Sequence, residues 1–324
     1  MKKVLVVNLN FAIDKTAALD EFTEGRVYRL DGVRTMPGGK GVNVARALTT
    51  LGVPVKLLGF VSGHNGRWIA EALSAEGLAA DCIPFCPGES RVCLSVVDRH
   101  GVSTDLNEEG PAVPRMAASK FLERYRAALS SCDMVAFCGR IAKGLPDDFF
   151  CRLIALSRAA GKMSAVDTSG VPLRRVMLRS SPDLIKMNRE EFEYSWGKTF
   201  TPAELVRLFR RMQRRGTQYV LVTDGPYATY AATPQNLWKF LPPDIKVVSP
   251  VGAGDSFMAG LIGGQAHGAP RQACVRMALG CAASDCLSLG AGIITKKQCE
   301  FYGRRAQLQR LVLSFAKQPR RAES

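Results

Sequence analysis

The sequence predicts an α/β fold: a mainly parallel central sheet covered by helices on both faces, with a small β-sheet inserted into it as a lid. Three observations predict it. Short apolar runs alternate with amphipathic stretches along most of the 324 residues, the pattern of strand–helix–strand units. Residues 11–35 and 91–105 break that alternation with strand-like patterning and turns. Two distant glycine-rich loops, near residues 38 and 252, run directly into helical patterns.

Taken in order, residues 4–7 and 55–60 read as buried strands. The helix between them, over 41–50, follows from Val44, Ala47, Leu48 and Leu51 at helical spacing. A helix over 69–76 is closed by Gly77. Then come a strand at 134–138, a helix over 147–160 closed by Gly161, and strands at 164–167 and 184–186. Thr201 caps a helix over 202–215 that Gly216 ends. A strand at 219–223 and helices over 256–268 and 271–286 follow. Val92 to Asp98, with Arg99-His100-Gly101 after it, reads as a hairpin arm. No repeat or low-complexity linker divides the chain. The main domain is therefore assigned to 1–10, 36–90 and 106–316, the lid to 11–35 and 91–105, and a basic tail to 317–324.

Apolar content of 47% and charged content of 23% are ordinary for a globular protein. No apolar run reaches the roughly 18 residues of a membrane span, and residues 1–8 suit a first strand better than a signal peptide, so a cytoplasmic protein is expected. The ten cysteines form no C-x-x-C and the three histidines no metal-spaced pair, which predicts reduced, buried thiols and no transition-metal site. Net charge is +15, and residues 296–324 hold eight basic and two acidic side chains. No nucleic-acid module accompanies that charge, which suits phosphorylated substrates equally well.

Polar segments fall at the carboxyl ends of the predicted strands, where open parallel sheets bind ligands. They include Asn8 to Asp14, Cys138-Gly139-Arg140, Asp167-Thr168-Ser169-Gly170, Lys186 to Glu191 and Thr223-Asp224-Gly225. In Val251-Gly252-Ala253-Gly254-Asp255-Ser256-Phe257 a tight turn enters a helix. Its first N–H groups form an anion pocket beside the Asp255 carboxylate, an arrangement suited to a general base near a transferring phosphoryl group. A plain turn with a helix-start aspartate reads the same way. In Pro37-Gly38-Gly39-Lys40-Gly41-Val42-Asn43 three glycines admit a ligand to the backbone, Lys40 adds charge, and Asn43 can pair with a sugar hydroxyl. The Walker A spacing is missing. Asp14 alone reads as a turn aspartate, and Asn188 with Glu191 as a helix start.

The two glycine motifs together resemble those of the ribokinase-like phosphofructokinase-B sugar kinases, the hexose-phosphate branch above all. Asn10-x-Ala12-Ile13-Asp14, Asn107-x-x-Gly110-Pro111, Asp167-Thr168-Ser169-Gly170 and Leu184-Ile185-Lys186-x-Asn188-x-x-Glu191 add to the resemblance, which runs from Asn8 to about Gly292. It implies a three-layer α/β/α fold and an ATP- and Mg²⁺-dependent kinase. Asp255 would be the base, and Gly252, Ala253 and Gly254 the phosphoryl cradle. Asp14, Gly38, Gly39 and Asn43 would hold the sugar, with Lys40 and Arg91 on its existing phosphate. Lys186, Thr223, Gly225 and Gly254 would follow the nucleotide, and Asn188 and Glu191 would organise Mg²⁺ through water. The lid implies a homodimer.

Three positions depart from that pattern. Arg140 stands where the branch carries serine, and would either strengthen phosphate binding or fill the pocket. Met187 replaces a proline, and Asp224 brings a negative charge near the nucleotide. The implied reaction converts fructose 1-phosphate to fructose 1,6-bisphosphate. Tagatose 6-phosphate, fructose 6-phosphate and other sugars are alternative acceptors, and a non-catalytic sugar-phosphate or nucleotide binder is the alternative from another class.

Overall fold

The structure, a computed structural model, describes residues 1–311; the basic tail assigned to 317–324 lies outside the described residues. The chain opens with β1 (Val4–Asn8), β2 (Ala12–Ala18), β3 (Arg34–Gly38) and α1 (Lys40–Thr50). Next come β4 (Val55–Ser62), α2 (Gly63–Ala75), β5 (Ala80–Phe85), β6 (Arg91–Val97) and β7 (Ser103–Asn107). The middle holds α3 (Arg115–Leu129), β8 (Met134–Cys138), α4 (Phe149–Ala159), β9 (Met163–Asp167) and α5 (Gly170–Arg179). It continues through β10 (Leu184–Asn188), α6 (Arg189–Trp196), α7 (Pro202–Gln213) and β11 (Tyr219–Asp224). The last part is β12 (Ala228–Ala232), β13 (Leu237–Leu241), α8 (Ala253–Ala266), α9 (Arg271–Asp285), α10 (Lys296–Arg305) and β14 (Gln307–Leu311).

Ten strands form one sheet in the order β14-β13-β12-β11-β10-β9-β8-β1-β4-β5. The strands from β11 to β5 pair in parallel, and β12 to β14 add an antiparallel edge. Side chains alternate between two apolar layers. Val4, Val6, Met134 and Ala136 face one layer, Leu5, Val7, Val135 and Phe137 the other, as a sheet buried on both faces requires. A separate sheet of order β3-β2-β6-β7 is built from the two stretches that break the alternation. Its strands reach Gly38 and Asn107, a little beyond the expected limits. The mixed α/β architecture with a small second sheet is the predicted class.

Several local expectations differ. α2 starts at Gly63 rather than 69, because Glu89 from outside the helix accepts the Asn65 N–H at 2.8 Å and steadies a first turn that His64-Asn65-Gly66 makes weak by itself. Pattern reading does not find α3, α5, α10, β5, β12, β13 or β14. In α10 only Cys299 and Gly303 are buried, so no apolar stripe marks it. Of the expected ends, Thr201 does cap α7, accepting the Glu204 N–H at 3.1 Å, and Gly77, Gly161 and Gly216 all take positive φ. All ten cysteines are free. Among the described residues no helix is long and apolar enough to cross a membrane.

Helices α8, α9 and α10 pack through glycines. An added Cβ on Gly260 would lie 2.7 Å from Ala278 Cα, and one on Gly280 would lie 2.0 Å from the Cys299 carbonyl oxygen. Gly280→Ala should therefore force α9 and α10 apart and cost about 2 kcal/mol or more, read as a lower urea midpoint. A midpoint equal to that of the parent protein would refute this packing.

Candidate active site

The chain leaves β1 toward β4 on one side and returns through β8 on the other. Such a reversal opens a crevice at the carboxyl ends of the strands. There a cavity of about 240 Å³ lies between the small sheet and the main sheet. It is lined by Asp14, Gly39, Lys40, Asn43 and Arg91 from the first glycine loop and the small sheet. Arg140, Glu191 and Asp255 come to it from three other segments. Residues more than 200 apart in sequence meet in one place.

The small sheet fixes Asp14. In β2 it sits opposite Met36 of β3 and Cys93 of β6. Its carboxylate occupies the space beside Gly38, where an added Cβ would lie 1.9 Å from its Cγ. Oδ2 accepts the Gly39 N–H at 3.0 Å, and Gly39 has φ +100°, open to glycine. Burial raises the Asp14 carboxyl above its ordinary value, against the Gly39 hydrogen bond and the nearby Arg91 charge. Asn8, which no motif singles out as a site residue, holds the same loop: its Oδ1 accepts the Gly41 N–H at 3.3 Å.

Asp255 stands in the first turn of α8, behind Gly252 at φ +85°. It is 7% exposed, and its Oδ2 accepts from Asn43 Nδ2 at 2.9 Å. Burial pushes its carboxyl up to about 7; the Lys40 ammonium opposes the rise and the Asp167 charge adds to it. The carboxylate therefore accepts a proton readily near neutral pH. The Ala253 N–H is taken by Pro250 O at 3.2 Å and the Asp255 N–H by Gly252 O at 2.9 Å. The N–H groups of Gly252 and Gly254 have no partner among the described residues. These two glycines, rather than all three cradle residues, offer open donors.

Asp167 organises the floor. It is 1% exposed and accepts from Lys186 Nζ at 3.0 Å and Lys40 Nζ at 3.2 Å. Burial alone would raise its carboxyl, but the two ammonium groups outweigh it and hold the value below the ordinary range. Lys40 also lies 3.6 Å from Glu191 Oε1. Both lysines assigned to phosphate are thus engaged with carboxylates. Lys186 is buried, and its Nζ would be 3.1 Å from a Cβ on Gly254, directly beneath the start of α8. Asp167 opens the Asp167-Thr168-Ser169-Gly170 segment, but nothing in one sequence says that two lysines share it.

Asn188 and Glu191 form a reciprocal capping box at α6: Asn188 Oδ1 accepts the Glu191 N–H at 2.7 Å and Glu191 Oε2 accepts the Asn188 N–H at 2.8 Å. Glu191 still lines the cavity, while Asn188, Thr223 and Gly225 do not. The latter two lie at the end of β11 and just beyond it. Asp224 turns to Arg189, 3.2 Å from Nη1, so its charge is balanced. Arg91 makes two long bonds of 3.4 Å to the carbonyls of Asn10 and Glu108. Arg140 is exposed and has no ion pair among the described residues. Arg46, by contrast, donates to Asn43, Ala291, Pro37 and Glu76 and has little left for a ligand.

The model of the "pfkB family carbohydrate kinase" matches residues 1–298. A Thermotoga maritima protein described as a possible 1-phosphofructokinase has 25% identity and a TM-score of 0.87, over 96% of this chain and 100% of that one. Phosphofructokinase-2 of Escherichia coli, solved with potassium, shares the fold at 20% identity and a TM-score of 0.83, covering 94% and 99%. A carbohydrate kinase from Agrobacterium tumefaciens does so at 21% identity and 0.73, covering 95% and 100%. With that family match running over residues 1–298, the chain belongs to the pfkB family of carbohydrate kinases.

Proposed function

We propose that the protein phosphorylates a ketohexose phosphate with ATP, fructose 1-phosphate first, giving fructose 1,6-bisphosphate. The observation that carries this reading is Asp255: a carboxyl that lines the cavity and that burial pushes up to about 7, in the same turn as the open N–H groups of Gly252 and Gly254. Asp255 takes the proton of the acceptor's hydroxymethyl group as its oxygen attacks the γ-phosphorus in line with the leaving ADP. The two N–H groups receive the charge of the transferring phosphoryl. Asp14 and Asn43 orient the sugar hydroxyls. Arg140 and Arg91 are the guanidinium groups available for the acceptor's existing phosphate. Thr223 and Gly225 lie along the nucleotide. The small sheet excludes water as a lid and, through its outer face with exposed Val102 and Leu106, joins two copies into a homodimer in the cytoplasm.

The donor set at Glu191 and Asn188 fits Mg²⁺ held through water. Glu191, which lines the cavity, keeps Oε1 out of its capping bond, 3.6 Å from Lys40 Nζ, and a hard ion that retains its hydration suits such a site. When bound, Mg²⁺ neutralises charge on the nucleotide phosphates. Asp224 gives no reason to prefer a binder without turnover, since Arg189 pairs with it.

ADP release, measured across fructose 1-phosphate, tagatose 6-phosphate, fructose 6-phosphate and fructose, tests the acceptor. Fructose 1-phosphate should give the highest kcat/KM, and loss of the phosphate should cost about a hundredfold; equal efficiency on fructose refutes the guanidinium pocket. Arg140→Ser should raise KM for the sugar phosphate about tenfold with little change in KM for ATP. Asp255→Asn should abolish turnover while calorimetry finds ATP affinity nearly unchanged; turnover near that of the parent protein rejects the base. The kcat/KM profile should fall as pH drops through about 7, where Asp255 takes up its proton. In Lys40→Met, loss of the ammonium should move that limb to higher pH, and an unmoved limb contradicts the electrostatic account.

A further inference from the structure

One buried carboxylate has no part in the reaction scheme: Asp285, the last residue of α9, 0% exposed. All three donors to its carboxylate come from other segments. Oδ2 accepts from Ser256 Oγ at 2.9 Å and from the Gly292 N–H at 3.2 Å, and Oδ1 accepts the Ile293 N–H at 2.8 Å. Ser256 is itself buried and directly follows Asp255. Gly252 is pressed against the same group: an added Cβ there would lie 2.7 Å from Asp285 Oδ2 and 2.6 Å from Ala291 Cα. Gly290 and Ala291, which precede the two donating amides, line the cavity. The next residue, Cys286, accepts the N–H groups of Val248 and Ser249 at 2.8 and 3.2 Å, on the approach to the turn.

A carboxylate without partners is costly in such surroundings, whereas one with converging donors is held firmly in place. Here the donors join the start of α8 to the loop at 290–293, two segments that must keep register for the base and the open N–H groups to face the same point. We propose that Asp285 is a positioning residue that sets this register, tying the Gly252–Ser256 turn to the cavity wall. The inference rests on the kinase reading of Asp255 and adds to it a residue that never touches substrate. Its consequence is kinetic. Small displacements of a reacting constellation cost rate far more than binding.

The test uses Asp285→Asn, which keeps size but turns one acceptor into a donor facing N–H groups. Its kcat should fall about ten- to a hundredfold, with KM for ATP and for fructose 1-phosphate changed less than about threefold. Amide hydrogen exchange at 252–256 and 290–293 should speed up together. Ser256→Ala should move both readouts the same way by less, and the double variant should lose less than the product of the two. A folded Asp285→Asn protein with parental kcat and parental exchange overturns the proposal. If Asp285→Asn does not fold, parental kcat and exchange in Ser256→Ala overturn it instead. Absence of ADP release from the parent protein on every sugar phosphate removes the kinase reading alone, and the exchange measurement then decides the register by itself.

Discussion

Asp167 holds Lys186 at 3.0 Å and Lys40 at 3.2 Å, and the charge balance of the cavity turns on that shared carboxylate. Asp14, Asp167 and Asp255 crowd one region, where burial penalises each ionised carboxyl. Two ammonium groups offset the penalty unequally. Asp167, which receives both hydrogen bonds, stays below its ordinary range, and Asp255, which feels Lys40 only through space, rises to about 7. One environment thus separates a permanent anion from a proton acceptor. Carboxylates pushed apart in this way divide structural from chemical work.

The backbone delivers these groups with little freedom. Parallel strands end together at one edge, so Asn8, Cys138, Asp167 and Asn188 finish β1, β8, β9 and β10 on the same side of the sheet. The small sheet then closes over the reversal between β1 and β8, carrying Asp14 and Arg91 on adjacent strands. Close glycine contacts among α8, α9 and α10 fix the other wall.

Much of this was legible in the residues. Alternating apolar runs announce the parallel sheet, because a strand buried on both faces must be apolar throughout. Turn glycines such as Gly39 and Gly252 announce backbone angles that other residues avoid. Partnership was not legible. Lys40 and Lys186 read as cations for phosphate, yet both face Asp167, 127 and 19 residues away along the chain. Asp224 reads in the sequence as a negative charge near the nucleotide, and its partner Arg189 lies 35 residues away along the chain. Asp285 sits among small residues with no motif around it, and its role depends on donors from two loops. Elements such as α10 escaped because they bury so few side chains.

The bond from Asn43 to Asp255 joins the first glycine loop to the proposed base. A substitution that reshapes the first glycine loop to admit another sugar would shift Asn43, and with it the proton affinity of Asp255. Acceptor preference and working pH are then inherited together rather than as separate traits. Descendants of this chain that changed sugars would be expected to carry a compensating change near Lys40 or Asp167, and the lineage's accessible routes to new substrates are correspondingly few.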